Sequence, residues 1–259
     1  IQTIQHGVSL PTEISREAEM GTPKSKTDCA AYRFSRYYAG LQAGPTLTVQ
    51  TQRQVPVAIH HIQGAIDSGC GLYCLCMVLS AYGLGKPSAL ANMTHRRFGL
   101  ASEIWSVMGP YFLTGVTAPE LKTAVDFLEL PLKLTLRHTN DKSDGVPTST
   151  CADVSAFAID CLFKGKLTML AYASLKNQHQ HWVLGVGVEG LGIPSKQTVD
   201  YLLVLDPADN VQPYAVANGW LRRGVGAKQR QAGHWMYEGP GFSSEPVRLI
   251  SAVCMELRE

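Results

Sequence analysis

Three cysteines fall within seven positions, at Cys70, Cys74 and Cys76, in the stretch Asp67-Ser-Gly-Cys-Gly-Leu-Tyr-Cys-Leu-Cys-Met-Val-Leu79. A closed zinc site is a poor fit, because there is no Cys-x-x-Cys pair and no second cluster of Cys or His at ligand spacing. A disulfide fits no better: cysteines four apart on a helix hold their Cβ atoms ~5–6 Å apart, whereas a disulfide needs ~3.5–4.5 Å. Cys74 and Cys76 lie deep in an apolar run and read as small buried hydrophobes. Cys70 differs by position. It opens a helix, where unsatisfied backbone N–H groups and the positive end of the helix dipole stabilise a thiolate. Gly71 beside it would let a substrate backbone come close.

A thiolate nucleophile needs a base, and that base comes from elsewhere in the chain. His181 opens the apolar run Trp-Val-Leu-Gly-Val-Gly-Val, a buried-strand pattern with a titratable residue at its mouth. The next such run, Leu203-Val-Leu-Asp206-Pro207, ends in an acid that can hold an imidazole in one tautomer. His179 lies on the same face of an ideal strand as His181, and the spacing leaves both open as the base.

These residues must be positioned by the elements around them. The apolar run from Cys70 predicts a buried central helix of about fifteen residues, capped by Asp67 or Ser68 and stopped by Gly83 and Gly85. Further helices are predicted over 88–98 and 103–111. Another covers 117–129, where Thr117, Pro119 and Glu120 form a helix start. A strand at 132–136, a polar loop at 138–149 and a helix over 154–163 follow. The remainder reads as strands at 167–172, 181–188, 201–206 and 248–256. Helices first and strands afterwards predict an α+β domain over 56–259, an N-terminal helical part packed on a C-terminal antiparallel β-sheet. Residues 1–55, rich in Thr, Gln, Ser, Gly and Pro, read as a partly irregular N-terminal extension with one helix around 29–38.

The totals narrow the function classes. The chain has 259 residues, 45% hydrophobic and 17% charged, an ordinary globular balance. A net charge of +2 with no run of like charges gives no nucleic-acid surface. No apolar run approaches the ~18 residues of a membrane span. The opening Ile1-Gln-Thr-Ile-Gln-His-Gly lacks the pattern of a signal peptide, and its lack of Met suggests a piece of something longer. Seven cysteines, odd in number and scattered, suggest mostly structural thiols in a reducing compartment.

Taken together, Gln63, the Cys70-Gly helix start, Gly115-Val-Thr-Ala-Pro-Glu-Leu-Lys with the strand after it, His181-Trp-Val-Leu-Gly-Val and Asp206-Pro207 resemble a known family over roughly 56–209. They are similar to the double-glycine leader peptidases, the papain-like cysteine peptidase domains of bacteriocin-exporting ABC transporters. The resemblance implies a papain-like cysteine hydrolase fold with no metal or cofactor. It implies Cys70 as nucleophile, His181 as general base and then acid, and Asp206 as the residue orienting the imidazole. Gln63 would donate its amide to the oxyanion, alongside the Cys70 backbone N–H. This sequence departs from the family in the seven-residue gap between Gln63 and Cys70, one longer than usual. It departs also in carrying no transporter, and in the extension at 1–55 and the tail after Asp206. That tail holds Asn218-Gly-Trp-Leu-Arg-Arg and Gly233-His-Trp-Met-Tyr-Glu, suited to a substrate wall or a partner surface.

The expected function is therefore a free-standing thiol hydrolase cleaving a peptide or isopeptide bond through an acyl-enzyme on Cys70. A bacterial effector or toxin domain would fit, acting in the bacterial cytoplasm or a target cell. Its expected partners are a protein or peptide substrate and an inhibitor or immunity protein, with no nucleic acid and no membrane span. The alternatives are a glutamine deamidase or cell-wall amidase of the same fold, and an inactive peptide-binding domain.

Overall fold

The structure is a computed structural model that describes residues 31–51, 55–64, 68–139, 149–193, 196–224, 226, 233–239 and 244–258. Its main element is a closed barrel. Strands β1 (Tyr32–Tyr37), β2 (Leu41–Gln42), β3 (Thr48–Gln50) and β4 (Pro56–Ala58) come first. Helices α1 (Cys70–Ala81), α2 (Pro87–Leu90), α3 (Leu100–Met108), α4 (Tyr111–Thr114) and α5 (Ala118–Phe127) follow. Then come β5 (Leu132–His138), α6 (Cys151–Phe163), β6 (Thr168–Ser174), β7 (Gln180–Ile193) and β8 (Lys196–Leu205), and last β9 (Gly219–Arg223), β10 (His234–Glu238) and β11 (Glu245–Leu257). Strands β6 to β11 each pair antiparallel with the next, and β11 pairs back to β6, which closes a ring of six. β1 adds to the outside of this ring along β7, and β5 along β11.

This corrects the α+β expectation of a helical part packed on a C-terminal sheet, papain-like in form. The molecule is mostly β, and its sheet has no open edge within the ring. The reason lies in strands that the sequence reading leaves out. The stretches expected to form a substrate wall or partner surface are β9 and β10, two staves of the barrel, with Leu221, Trp235 and Tyr237 buried inside it. Closure also needs strands long enough to bend around it. β7 and β11 run for 14 and 13 residues, and both carry register shifts that bend them. Through those bends β7 pairs with β1, β6 and β8, and β11 with β5, β6 and β10.

The helix expected around 29–38 is instead strand β1 over its described part. Phe34 points into the barrel core while Arg33 faces solvent. Residues 1–30 and Asp67, a proposed cap, lie outside the described residues. Among the described residues no helix is long and apolar enough to cross a membrane.

Two cores flank the barrel wall. Inside it, Leu170, Val183, Val204, Leu221 and Leu249 meet Val154, Ala158 and Leu162 of α6. The Trp235 indole N–H donates to Ser155 Oγ of that helix at 2.9 Å. α6 thus fills one end of the barrel. Outside, Ala171, Trp182, Leu184, Leu203 and Leu205 meet α1, α3 and α5. α1 is buried along nearly its whole length, and Cys74 and Cys76 are 0% exposed. Burial raises both thiols, Cys76 to about 12. The six cysteines among the described residues are all free.

α1 also buries a polar pair. His61, 5% exposed, lies with Nε2 2.9 Å from Ser80 Oγ. Burial, helped by the nearby His60, lowers His61 to about 4. The unfolded chain takes up that proton near pH ~6.5. Stability present above that pH is therefore lost as the pH falls from 6.5 towards 4, by roughly 3 kcal/mol in all. In His61→Gln, whose amide can keep the Ser80 hydrogen bond, denaturant midpoints measured from pH 7 to pH 4 are expected to fall much less than in wild type. Parallel curves would rule out His61 as the acid-sensitive group.

Candidate active site

Antiparallel pairing brings alternate strand ends to one rim: the ends of β6, β8 and β10 and the starts of β7, β9 and β11. The candidate residues gather there, opposite the end filled by α6. His181 is the second residue of β7, and Asp206 directly follows β8, the strand beside it. Cys70 comes from outside the barrel, as the first residue of α1.

His181 Nε2 lies 2.7 Å from Asp206 Oδ1, and Cys70 lines the same cavity as His181, with its sulfur close enough to act on the imidazole. With Nε2 committed to Asp206, Nδ1 is the nitrogen left for Cys70. The three side chains are 8%, 8% and 3% exposed at Cys70, His181 and Asp206, so the ion pair works in a poorly solvated place. Burial alone would lower His181. The Asp206 carboxylate and the Cys70 sulfur outweigh it and raise His181 to about 10. Burial would likewise raise Asp206, but its bonds from His181, Tyr237 and the Ala208 N–H hold it below the usual carboxylate range.

The helix start differs from expectation in two ways. The N-cap is Gly69, with no side-chain cap bond, so Ser68 does not cap the helix. Its backbone carbonyl instead lies 3.9 Å from Cys70 Sγ. Gly71 does not leave space for substrate either. A Cβ there would stand 2.4 Å from Val116 Cγ1 and 3.2 Å from Trp182 Cδ1. The glycine lets the helix mouth press against the segment before α5, which Trp182 ties down by donating Nε1–H to the Val116 carbonyl at 2.8 Å. Cys70 remains at the first turn, where the backbone N–H groups have no intrahelical acceptor.

Gln63 reaches the same place despite its distance from Cys70 in sequence. Its N–H donates to the Pro207 carbonyl at 2.8 Å, and the nearby His60 Nε2 lies 2.9 Å from the Asp206 carbonyl. The segment after β4 is thereby clipped to the turn that carries the acid. The Gln63 Oε1, an acceptor, is buried with no hydrogen-bond partner among the described residues. Two cavities, of about 330 and 350 Å³, share Gln63, His179 and His181. One arm reaches Cys70 and is walled by neutral residues such as Thr114, Gly115 and Trp182. The other is charged, with Lys176, Asp209 and Glu245. His179 is exposed and stacks on His181 at 6.3 Å, without a bond to Asp206. His181 is thus the histidine joined to the acid.

Sequence reasoning misses the support around Asp206. Asn218, 1% exposed, accepts the Asp206 N–H at its Oδ1 (2.6 Å) and donates Nδ2–H to the Asp206 carbonyl (2.9 Å). Tyr237 donates its hydroxyl to Asp206 Oδ2 and stacks on Tyr172, centroids 5.1 Å apart. The available signal was the alternation in His234-Trp-Met-Tyr-Glu238, where Trp235 and Tyr237 share the inward face of a strand. Comparison of the sequence with protein-family models finds no match, and comparison with curated proteins finds none either.

Proposed function

We propose that this protein is a cysteine hydrolase that cleaves a peptide or isopeptide bond through an acyl-enzyme on Cys70. The observation that carries the reading is the buried His181–Asp206 hydrogen bond at the barrel rim, with Cys70 beside the same imidazole on a shared cleft. His181 and Asp206, 111 and 136 positions from Cys70 in sequence, meet near it at one rim of the fold. Gln63 and the transporter-peptidase motifs add to this reading through the residues they bring to the cleft. The fold they imply does not hold, so the proposal rests on the site alone.

In the proposed cycle, Cys70 Sγ attacks the carbonyl carbon while His181, as imidazolium, faces the departing nitrogen. The oxyanion forms against the Cys70 backbone N–H and the Gln63 amide, an interaction type worth about 2.7–4 kcal/mol for a donor. Collapse breaks the C–N bond, and His181 gives its proton to the leaving amine. Neutral His181 then takes a proton from water, whose oxygen attacks the thioester and releases the acid and the thiol. Asp206 keeps the imidazole aligned and its positive charge compensated throughout.

Alkylation of Cys70 tests this without a known substrate. Iodoacetamide labelling followed against pH is expected to be fast already at pH 6 in wild type. In His181→Ala it should be at least ~10-fold slower at that pH and rise only towards pH ~8.5, like an ordinary thiol. Identical slow profiles in the two proteins would sink the hydrolase reading.

A further inference from the structure

The Asp206 carboxylate is held at both oxygens. Oδ1 accepts from His181 and, at 2.7 Å, from the Ala208 N–H, while Oδ2 accepts from the Tyr237 hydroxyl. Tyr237 belongs to β10, 31 residues along the chain, and is 5% exposed inside the barrel. Its ring stacks on Tyr172 at an interplanar angle of 28°, and Tyr172 in turn meets His181 edge-on, centroids 5.7 Å apart. The phenol oxygen also occupies a notch made for it. A Cβ at Gly219 would lie 3.1 Å from that oxygen, and one at Gly239 only 2.9 Å away. These two glycines leave room for the hydroxyl where a side chain at either position would crowd it.

We propose that Tyr237 is a positioning residue of the catalytic unit, whose hydroxyl locks the Asp206 carboxylate in the rotamer that holds His181. This deepens the hydrolase reading and rests on it for the word catalytic, but the hydrogen bond itself does not depend on that reading. A carboxylate bonded at one oxygen only can turn about its Cβ–Cγ bond, and its charged form is less favoured. The groups facing it are His181 from β7, Tyr237 from β10, Cys74 from α1, Tyr172 from β6, Asp209 from the turn after β8 and His60 through the Asp206 carbonyl, with Cys70 acting through His181. Among them Tyr237 and His181 are the side chains that hydrogen-bond the carboxylate. Tyr237 sets its far side.

The test is Tyr237→Phe, which keeps the stacked ring and removes the donor. With aspartate labelled at the carboxyl carbon, the NMR titration of Asp206 is expected to move up by roughly one to two pH units. Cys70 alkylation at pH 6 should slow about tenfold, as the imidazole loses its fixed partner. An unmoved Asp206 titration would overturn the proposal. So would a lower thermal midpoint with that titration unchanged, since this is what packing alone would give. Should Tyr237→Phe not fold, Gly239→Ala crowds the phenol oxygen without removing it. It should shift the Asp206 titration the same way by less, and no shift there would also overturn the idea. Wild-type alkylation that ignores His181→Ala would instead remove the hydrolase reading, while the Asp206 titration still decides the role of Tyr237.

Discussion

Asp206→Asn is expected to lower hydrolysis by roughly 10²–10⁴-fold, the range of a well-placed acid–base group, and to move the alkaline limb of the pH profile downwards. His181 is buried, which by itself would favour the neutral ring, and Asp206 is the strongest influence against that. In wild type the imidazolium therefore survives up to about pH 10. In the Asn variant burial wins, and the ring loses its proton below the ordinary histidine value of ~6.5. Stability follows the same sign. The raised His181 contributes stability that is whole below pH ~6.5 and is lost as the pH rises through about 10. The variant should lack that contribution. Asn still offers Oδ1 to His181 and can donate Nδ2–H to the Tyr237 oxygen, so the fold should persist and the loss is electrostatic. A His181 titration followed by NMR that is unchanged in Asp206→Asn would refute this account.

Gly71→Ala sets two effects against each other. Alanine is the better helix former by about 0.5–1 kcal/mol relative to glycine. Its Cβ, however, would stand 2.4 Å from Val116 Cγ1 and 3.2 Å from Trp182 Cδ1. Val116 is 7% and Trp182 5% exposed, and the two are tied through the Val116 carbonyl, so neither can swing out. Overpacking of this kind costs about 1–3 kcal/mol, more than the propensity gain. The strain must move the helix mouth or the 115–117 segment, and Cys70 stands next to the clash. A misplacement of ~1 Å is enough for a ~10²-fold loss of rate. The single variant should therefore melt lower and alkylate at Cys70 with a weaker dependence on His181. Gly71→Ala combined with Val116→Ala removes Cγ1, the atom in closest conflict, and should recover most of both. A single variant as stable and reactive as wild type would show that the helix mouth tolerates movement.

The sequence by itself determined the local features. An apolar run behind Cys70 and before two glycines reads as a buried helix, and α1 is one, twelve residues over 70–81 where the pattern predicts about fifteen. Thr117 and Glu120 form the capping box their spacing predicted, because that box is built within four residues. His181 at the mouth of an apolar strand and Asp206 at the end of the next were legible for the same reason, since each is a polar residue breaking an apolar pattern. What only the tertiary structure decided is long-range. β9 and β10 are five residues each, too short and too interrupted by polar positions to stand out, and they become strands because β8 and β11 leave unpaired edges for them. Their pairing turns a sheet into a barrel and carries Tyr237 to Asp206 and Asn218 to its backbone. Likewise Gly71 looked like an opening for substrate, and it is the point where Val116 and Trp182 close on the helix. Helix starts and strand mouths obey neighbours a few residues away, whereas barrel closure and a carboxylate's far-side partner depend on contacts between residues tens of positions apart.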